Sequence, residues 1–89
     1  MKGMNVKLRN HFVANVQFVI HDHGLSQQQI ADLAGISRVN LNRILQLHAV
    51  PSIDTCEAIA AAIELPLATL LLPPRQFEKV IKEIFQTMA

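Results

Sequence analysis

One short segment of the chain holds two helix-start signals and one helix-stop signal in quick succession. Ser26 begins a capping box, in which its hydroxyl accepts a hydrogen bond from the Gln29 backbone N–H and the Gln29 side chain returns to the Ser26 N–H. Gly35 supplies the positive φ that lets a chain turn sharply, and Ser37 caps a second helix directly afterwards. The sequence therefore predicts two short helices joined by a tight turn, which cross at a steep angle.

The two helices are predicted to bury different amounts of their surface. In the first, Ile30, Leu33 and Ala34 form the predicted buried face, and Ala31 is small enough for a close helix crossing. The second continues to about residue 45. Its predicted buried positions are Leu41, Ile44 and Leu45, and its predicted outer positions are Arg38, Val39, Asn40, Asn42 and Arg43.

The rest of the chain also carries helical periodicity, and no sustained alternation typical of strands occurs. Apolar spacing predicts a first helix over residues 6–22, and Ser52 caps a fourth helix after Pro51. A short fifth helix is expected over 66–71, and a strongly amphipathic one after Pro73-Pro74. We therefore predict an all-α fold, with a compact five-helix domain over residues 1–72 and a C-terminal amphipathic helix over 73–89.

Composition narrows the class of protein further. A chain of 89 residues that is 51% hydrophobic and 17% charged has material for one hydrophobic core and too few polar residues for global disorder. No apolar run reaches the roughly 18 to 20 residues that a membrane span requires. The single cysteine, Cys56, is expected to be a buried thiol, and the start of the chain does not resemble a signal peptide. A cytoplasmic protein without membrane contact is the expectation.

Charge is unevenly distributed along the chain. Residues 1–50 carry five basic and two acidic side chains, for a net charge of +3, whereas residues 51–89 carry three basic and five acidic ones, for −2. This division suggests an anion-binding front half joined to a packing or assembly half.

The residues at the start of the third predicted helix suit the edges of base pairs. Because two short helices crossing steeply leave the second one protruding, its N-terminal side chains point outward. Arg38 and Asn40 can match the donor and acceptor pattern of the DNA major groove. Double-stranded DNA is therefore the expected partner.

Residues 25–71 resemble the Xre/Cro-like helix-turn-helix family of phage and bacterial repressors. The resemblance is carried by LSQQQIADLAGISRVNLNRI and PSIDTCEAIAAAIELPLATLL, in which caps, central Ala, turn Gly and downstream Pro-Ser fall at the family's offsets. It implies DNA binding as a dimer, with the third helix in the major groove. It also implies that Gln27 holds a phosphate and braces that helix. The DNA-contacting positions that it implies are Ser37, Arg38, Val39, Asn40, Asn42 and Arg43.

The sequence departs from the family at two helix ends. The loop after the third helix usually carries Gly and a basic residue, but here it is Gln46-Leu47-His48-Ala49-Val50. Glu64 stands where a helix-ending Gly is common.

The last predicted helix carries six large apolar residues on one stripe, more than a monomer surface usually exposes. We predict that this stripe pairs two subunits, which places two recognition helices about 34 Å apart, one turn of DNA. The alternative is that the helix folds back over Val13, Phe18 or Ile20 of its own chain, and both arrangements are compatible. The stripe consists of Phe77, Val80, Ile81, Ile84, Phe85 and Met88.

These observations predict a sequence-specific DNA-binding transcription regulator, a repressor that binds a palindromic operator as a homodimer. Two alternatives stay open: an antitoxin whose last helix binds a toxin as its protein partner, and a protein-interaction adaptor without DNA affinity. Neither an enzyme nor a cofactor is expected, because no convergent catalytic groups are present. Within His21-Asp22-His23 the two histidines point to different sides of a helix, so no metal site is predicted.

Overall fold

The structure is a computed structural model that describes residues 5–88, without the side chains of Phe85, Thr87 and Met88. The described residues form helices and turns with no strand, which confirms the predicted all-α class. None of the described helices is both long enough and apolar enough to cross a membrane. The helices are α1 Val6–His23, α2 Gln27–Ala34, α3 Arg38–Leu45, α4 Ile53–Ala62, α5 Leu67–Leu70 and α6 Pro74–Met88.

Four helices begin at a side-chain cap that satisfies a backbone N–H of the first turn. Ser26 Oγ accepts from Gln29 N at 3.3 Å, and Ser37 Oγ accepts from Asn40 N at 3.0 Å. Ser52 caps α4 in the same way, as predicted, and Asn5 caps α1. Pro66 lies at the N-cap of α5 rather than inside its first turn, and the helix is shorter than the predicted span.

Four helix ends share the long bond of the Schellman motif, in which the N–H that follows a residue with positive φ donates to the carbonyl five residues earlier. Gly24 and Gly35 occupy this position after α1 and α2, whereas Leu47 and Glu64, with φ of 64° and 61°, occupy it after α3 and α4. After α4, for example, Leu65 N donates to Ala60 O at 3.0 Å and Glu64 N to Ala61 O at 3.1 Å. The turns after α3 and α4 therefore form although the residue with positive φ is not glycine.

The core surrounds α1, which packs against α3, α5 and α6, while α2 packs against α3 and α4. Two buried aromatic rings, Phe12 and Phe77, lie within it. Asn15 is also buried there, and its Nδ2 donates to Leu70 O at 2.9 Å and to Leu72 O at 2.8 Å. The single amide thus holds the end of α5 against α1. The remaining fully buried large side chains are those of Leu41, Ile44, Ile59, Leu70, Val16 and Cys56.

The last helix folds back on the first. The rings of Phe18 and Phe77 meet edge to face with centroids 6.1 Å apart, and Phe77 and Ile81 are buried. This is the fold-back arrangement, and α6 completes the core of its own chain.

One predicted buried position is wrong, and one apolar residue at the start of α4 is also exposed. Leu33 is 73% exposed, because α2 turns Ile30 and Ala31 to the core and Leu33 lies roughly 110° around the helix from their midpoint. Ile53, the first residue of α4, is 39% exposed because it precedes the turn on which Cys56, Ile59 and Ala60 pack inward.

Candidate nucleic-acid interface

The candidate interface is built on α3, whose two sides differ sharply. Leu41, Ile44 and Leu45 are buried and hold the helix on the core. The opposite side, which we call the α3 outer face, consists of Ser37, Arg38, Val39, Asn40 and Arg43, all of them exposed. Val39 is 72% exposed, a large apolar side chain without cover on a polar surface. The chain thus offers two guanidinium groups, an amide and an apolar side chain on one short helix.

The start of α3 is held in place while its side chains stay accessible. The bond from Asn40 N to Ser37 Oγ ties the first turn, so the side chains of Arg38 and Asn40 project from a fixed backbone. The remaining N–H groups of a helix start carry a partial positive charge that favours anions. Ordered donors at this end are therefore suited to a polyanion.

Gln27 and Asn42 join the two helices of the motif. Asn42 Nδ2 donates to Gln27 Oε1 across 3.4 Å, a long bond between half-buried side chains on α3 and α2. None of the hydrogen bonds described within residues 5–88 uses Gln27 Nε2, so this amide can donate to an outside acceptor while its oxygen contacts α3. Asn42 therefore differs from the outer-face residues, since it lies against α2.

Gln17 is a positioning residue that the sequence did not indicate. Its Nε2 donates to Leu45 O at 2.9 Å, so α1 satisfies a carbonyl at the last turn of α3. The two residues are far apart along the chain, and a glutamine on a long helix gives no local signal of its partner. Together with Ser37, Gln17 secures α3 at both ends.

The loop after α3 differs in character from a basic phosphate-binding loop. Leu47 and Val50 are exposed apolar residues there, and His48 N donates to Arg43 O at 2.8 Å. The loop's backbone N–H of His48 is thus used within the fold.

Other reactive groups lie apart from this surface. Within the described residues no three His, Cys, Asp or Glu side chains are close enough to hold a metal ion. His23 Nε2 lies 3.7 Å from Asp22 Oδ2 at the end of α1. Cys56 is buried, as predicted, and desolvation raises the pKa of its thiol from 9.0 to about 11, which keeps it protonated at neutral pH.

The residues predicted to pair two subunits are divided by the fold. Phe77 and Ile81 are buried against α1, Val80 is half-buried, and Ile84 is 40% exposed. The side chains of Phe85 and Met88 lie outside the described part of the structure. Of the four stripe residues whose side chains the structure describes, Ile84 is the most exposed.

Comparison with known proteins agrees with this geometry. A family model described as Helix-turn-helix matches residues 22–70, which include α2, α3, α4 and α5. Searches of curated proteins and of solved structures each found no match. The matched span covers more than half of the chain. It includes α3, which carries the α3 outer face, and α2, whose Gln27 contacts α3. The chain therefore belongs to the Xre/Cro-like helix-turn-helix family of DNA-binding transcription regulators.

Proposed function

We propose that this regulator is a sequence-specific repressor that binds a palindromic operator as a homodimer. The observation that carries the proposal is the α3 outer face, where Arg38, Val39 and Asn40 are exposed beside a helix start fixed by Ser37. Occupancy of DNA that overlaps a promoter is enough for repression, and it requires no second activity of the chain.

Base selection is assigned to the first turn of α3. The Arg38 guanidinium can donate two hydrogen bonds to guanine, and the Asn40 amide can pair with adenine in the same two-bond fashion. The Val39 side chain can contact the methyl group of thymine. Arg43 lies one turn further along, where the side chain reaches the sugar-phosphate backbone.

Phosphate contacts are assigned to the start of α2. Gln27 Nε2 takes part in none of the hydrogen bonds described for residues 5–88, while Gln27 Oε1 accepts from Asn42 Nδ2. A phosphate bound by that amide therefore fixes α3 through the same side chain. Such contacts set the register of the protein on DNA and carry no sequence information.

The first test is selection of bound sites from random duplex DNA. A homodimer returns a two-fold symmetric site with half-sites about one helical turn apart, and its affinity falls steeply as salt rises. Failure to enrich any sequence at moderate salt contradicts the proposal and favours an adaptor role.

The second test compares two arginine variants that remove the same charge. Arg38→Ala is expected to cost about 1 to 3 kcal/mol on the selected site and to relax preference at one position of each half-site. Arg75→Ala, which alters an exposed arginine of α6, is the matched control and keeps the preference. Gln27→Ala should weaken all sequences by a similar factor. Equal effects of the two arginine variants would show that only overall charge matters.

A further inference from the structure

An apolar groove lies on the surface where α1 ends. It has a volume of about 370 Å³ and lies between the end of α1, the turn after α4 and the second half of α6. None of its described lining residues belongs to the α3 outer face, so the two surfaces are separate. The apolar lining residues are Val19, Leu25, Ile63, Leu65, Ile81 and Ile84, and the polar ones are His23 and Glu64.

The size of the groove suits a small molecule. Binding sites for small ligands have volumes of about 300 to 1,000 Å³ and are mostly apolar, with a few polar groups that orient the ligand. Because an apolar cavity of about 150 Å³ holds benzene, a groove of about 370 Å³ accommodates roughly 10 to 15 non-hydrogen atoms. A protein partner would require about 20 to 30 residues on each side, whereas eight described residues line the groove.

The polar part of the lining favours a cation. Glu64 supplies a carboxylate, and no lysine or arginine is found among the described lining residues. His23, the other polar lining residue, has its Nε2 3.7 Å from Asp22 Oδ2, so a second carboxylate lies next to the groove. Carboxylates at the edge of an apolar surface attract a positively charged group and repel an anion.

The fold does not use the carboxylate of Glu64. None of the hydrogen bonds and ion pairs described within residues 5–88 involves this carboxylate, and the side chain is exposed. The backbone of Glu64 has a φ of 61°, which glycine adopts more easily. Glycine would therefore serve the turn better, but only a residue with a side chain can place a carboxylate at the groove. Strained backbone conformations of this kind cluster at ligand-binding sites.

We propose that the groove binds a small amphipathic cation, a compound with an apolar body and one primary ammonium group. The apolar body packs against Leu25, Ile63 and Ile84, and the ammonium group donates a hydrogen bond to the carboxylate of Glu64. Because that ion pair is exposed to water, the apolar contacts supply most of the affinity, and Glu64 supplies the preference for a cation. The inference goes beyond DNA binding and does not depend on it.

Three probes of similar size and different charge test the proposal on the full chain at neutral pH. Phenylbutylamine, phenylbutanol and phenylbutanoate share a phenyl ring on a four-carbon chain and are respectively cationic, neutral and anionic. Isothermal titration calorimetry measures their dissociation constants, and the amine is expected to bind about fivefold more tightly than phenylbutanoate, with the alcohol between them. Amide NMR spectra locate the bound amine, which should shift the signals of Leu25 and Leu65, two lining residues.

Two variants separate the contribution of charge from that of the apolar surface. Glu64→Gln preserves the size of the side chain and should weaken binding of the amine about threefold while leaving that of the alcohol unchanged. Glu57→Gln is the matched control, because Glu57 is an exposed acid of α4 that does not line the groove. Leu25→Ala should weaken binding of the amine and of the alcohol by the same factor, since both lose apolar contact.

Circular dichroism verifies that the variants remain helical. Three results would each overturn the inference: binding of none of the probes, binding of phenylbutanoate at least as tight as that of the amine, and equal effects of Glu64→Gln and Glu57→Gln. Amide shifts confined to residues remote from the groove would overturn it as well. None of these measurements involves DNA, so their outcome is independent of the test of the proposed function.

Discussion

Leu47 and Glu64 have a left-handed backbone conformation with positive φ, which residues with a Cβ adopt only at a cost in free energy. Left-handed residues of this kind lose roughly 1 to 2 kcal/mol relative to the right-handed conformation. Both residues close a Schellman motif, and Ala49 and Leu65, which follow them within two residues, are packed against the core. Packing of the following segment therefore imposes the conformation that glycine adopts easily elsewhere in the chain.

Replacing one of these residues by glycine should stabilise the protein. Glu64→Gly is expected to raise the free energy of unfolding by about 1 kcal/mol, because φ is 61° and the side chain is exposed. Urea titration of dilute, monomeric protein measures this free energy of unfolding. Ala61→Gly, within α4, should lower stability by a similar amount, and a loss in both variants would show that Glu64 is not strained.

Asn15 is the polar residue on which the packing of α5 depends. Asn15→Leu is expected to lower the free energy of unfolding by about 3 kcal/mol, since Leu70 O and Leu72 O lose their donor in a region with little water. Chemical denaturation gives the value, and Asn10→Leu on the exposed side of α1 is the control. A loss of stability smaller than that of Asn10→Leu would contradict the role of Asn15.

The raised pKa of Cys56 predicts how stability varies at high pH. The folded thiol binds its proton more tightly than the unfolded one, so its contribution is complete below pH 9 and is lost as pH rises from 9 towards 11. Denaturation across this window should show a steeper decline for the unaltered chain than for Cys56→Ala. Parallel declines would indicate that the thiol is not desolvated.

At the scale of elements, two of the three serine caps offer a comparison within one molecule. Ser37→Ala and Ser52→Ala each remove a cap hydrogen bond and should each cost about 1 kcal/mol of stability. Only Ser37→Ala is expected to weaken DNA binding, because α3 carries the outer face and α4 does not. Equal DNA affinity of the two variants would argue against α3 as the recognition element.

Helix α2 shows that helical periodicity alone does not predict which side of a short helix is buried. Sequence spacing placed Ile30 and Leu33 on one buried face, yet a helix of eight residues has room for only a narrow contact. The crossing of α2 with α4 selects the side that contains Ala31, which is buried, and leaves Leu33 outside. The choice of side thus depends on the neighbour of the helix.

At the scale of the whole molecule, α6 belongs to the core as much as to the surface. Burial of Phe77 and Ile81 contributes about 3 to 6 kcal/mol together, which is comparable to the total stability of a domain of this size. A chain shortened to end at residue 73 is therefore expected to lose cooperative unfolding in a thermal melt. A chain shortened to end at Ile84 should keep it, and cooperative unfolding of the shorter chain would show that α6 is dispensable for folding.

Local sequence signals were sufficient to predict the all-α fold class and much of the candidate site. Helix caps at Ser26, Ser37 and Ser52, the turn at Gly35 and the apolar spacing of each helix involve residues within one or two turns of one another. Their energetics act over the same short range, so the sequence alone determined six helices and the exposed side of α3.

Contacts between residues distant in the chain were decided only by the tertiary structure. The contact of Gln17 with Leu45, that of Asn15 with the end of α5, and the burial of Phe77 and Ile81 depend on which helices meet and at what angle. The left-handed conformation of Leu47 and Glu64 has the same origin. The spacing of apolar residues shows which side chains share one face of a helix. Which other helix packs against that face is decided only when all the helices pack into one core.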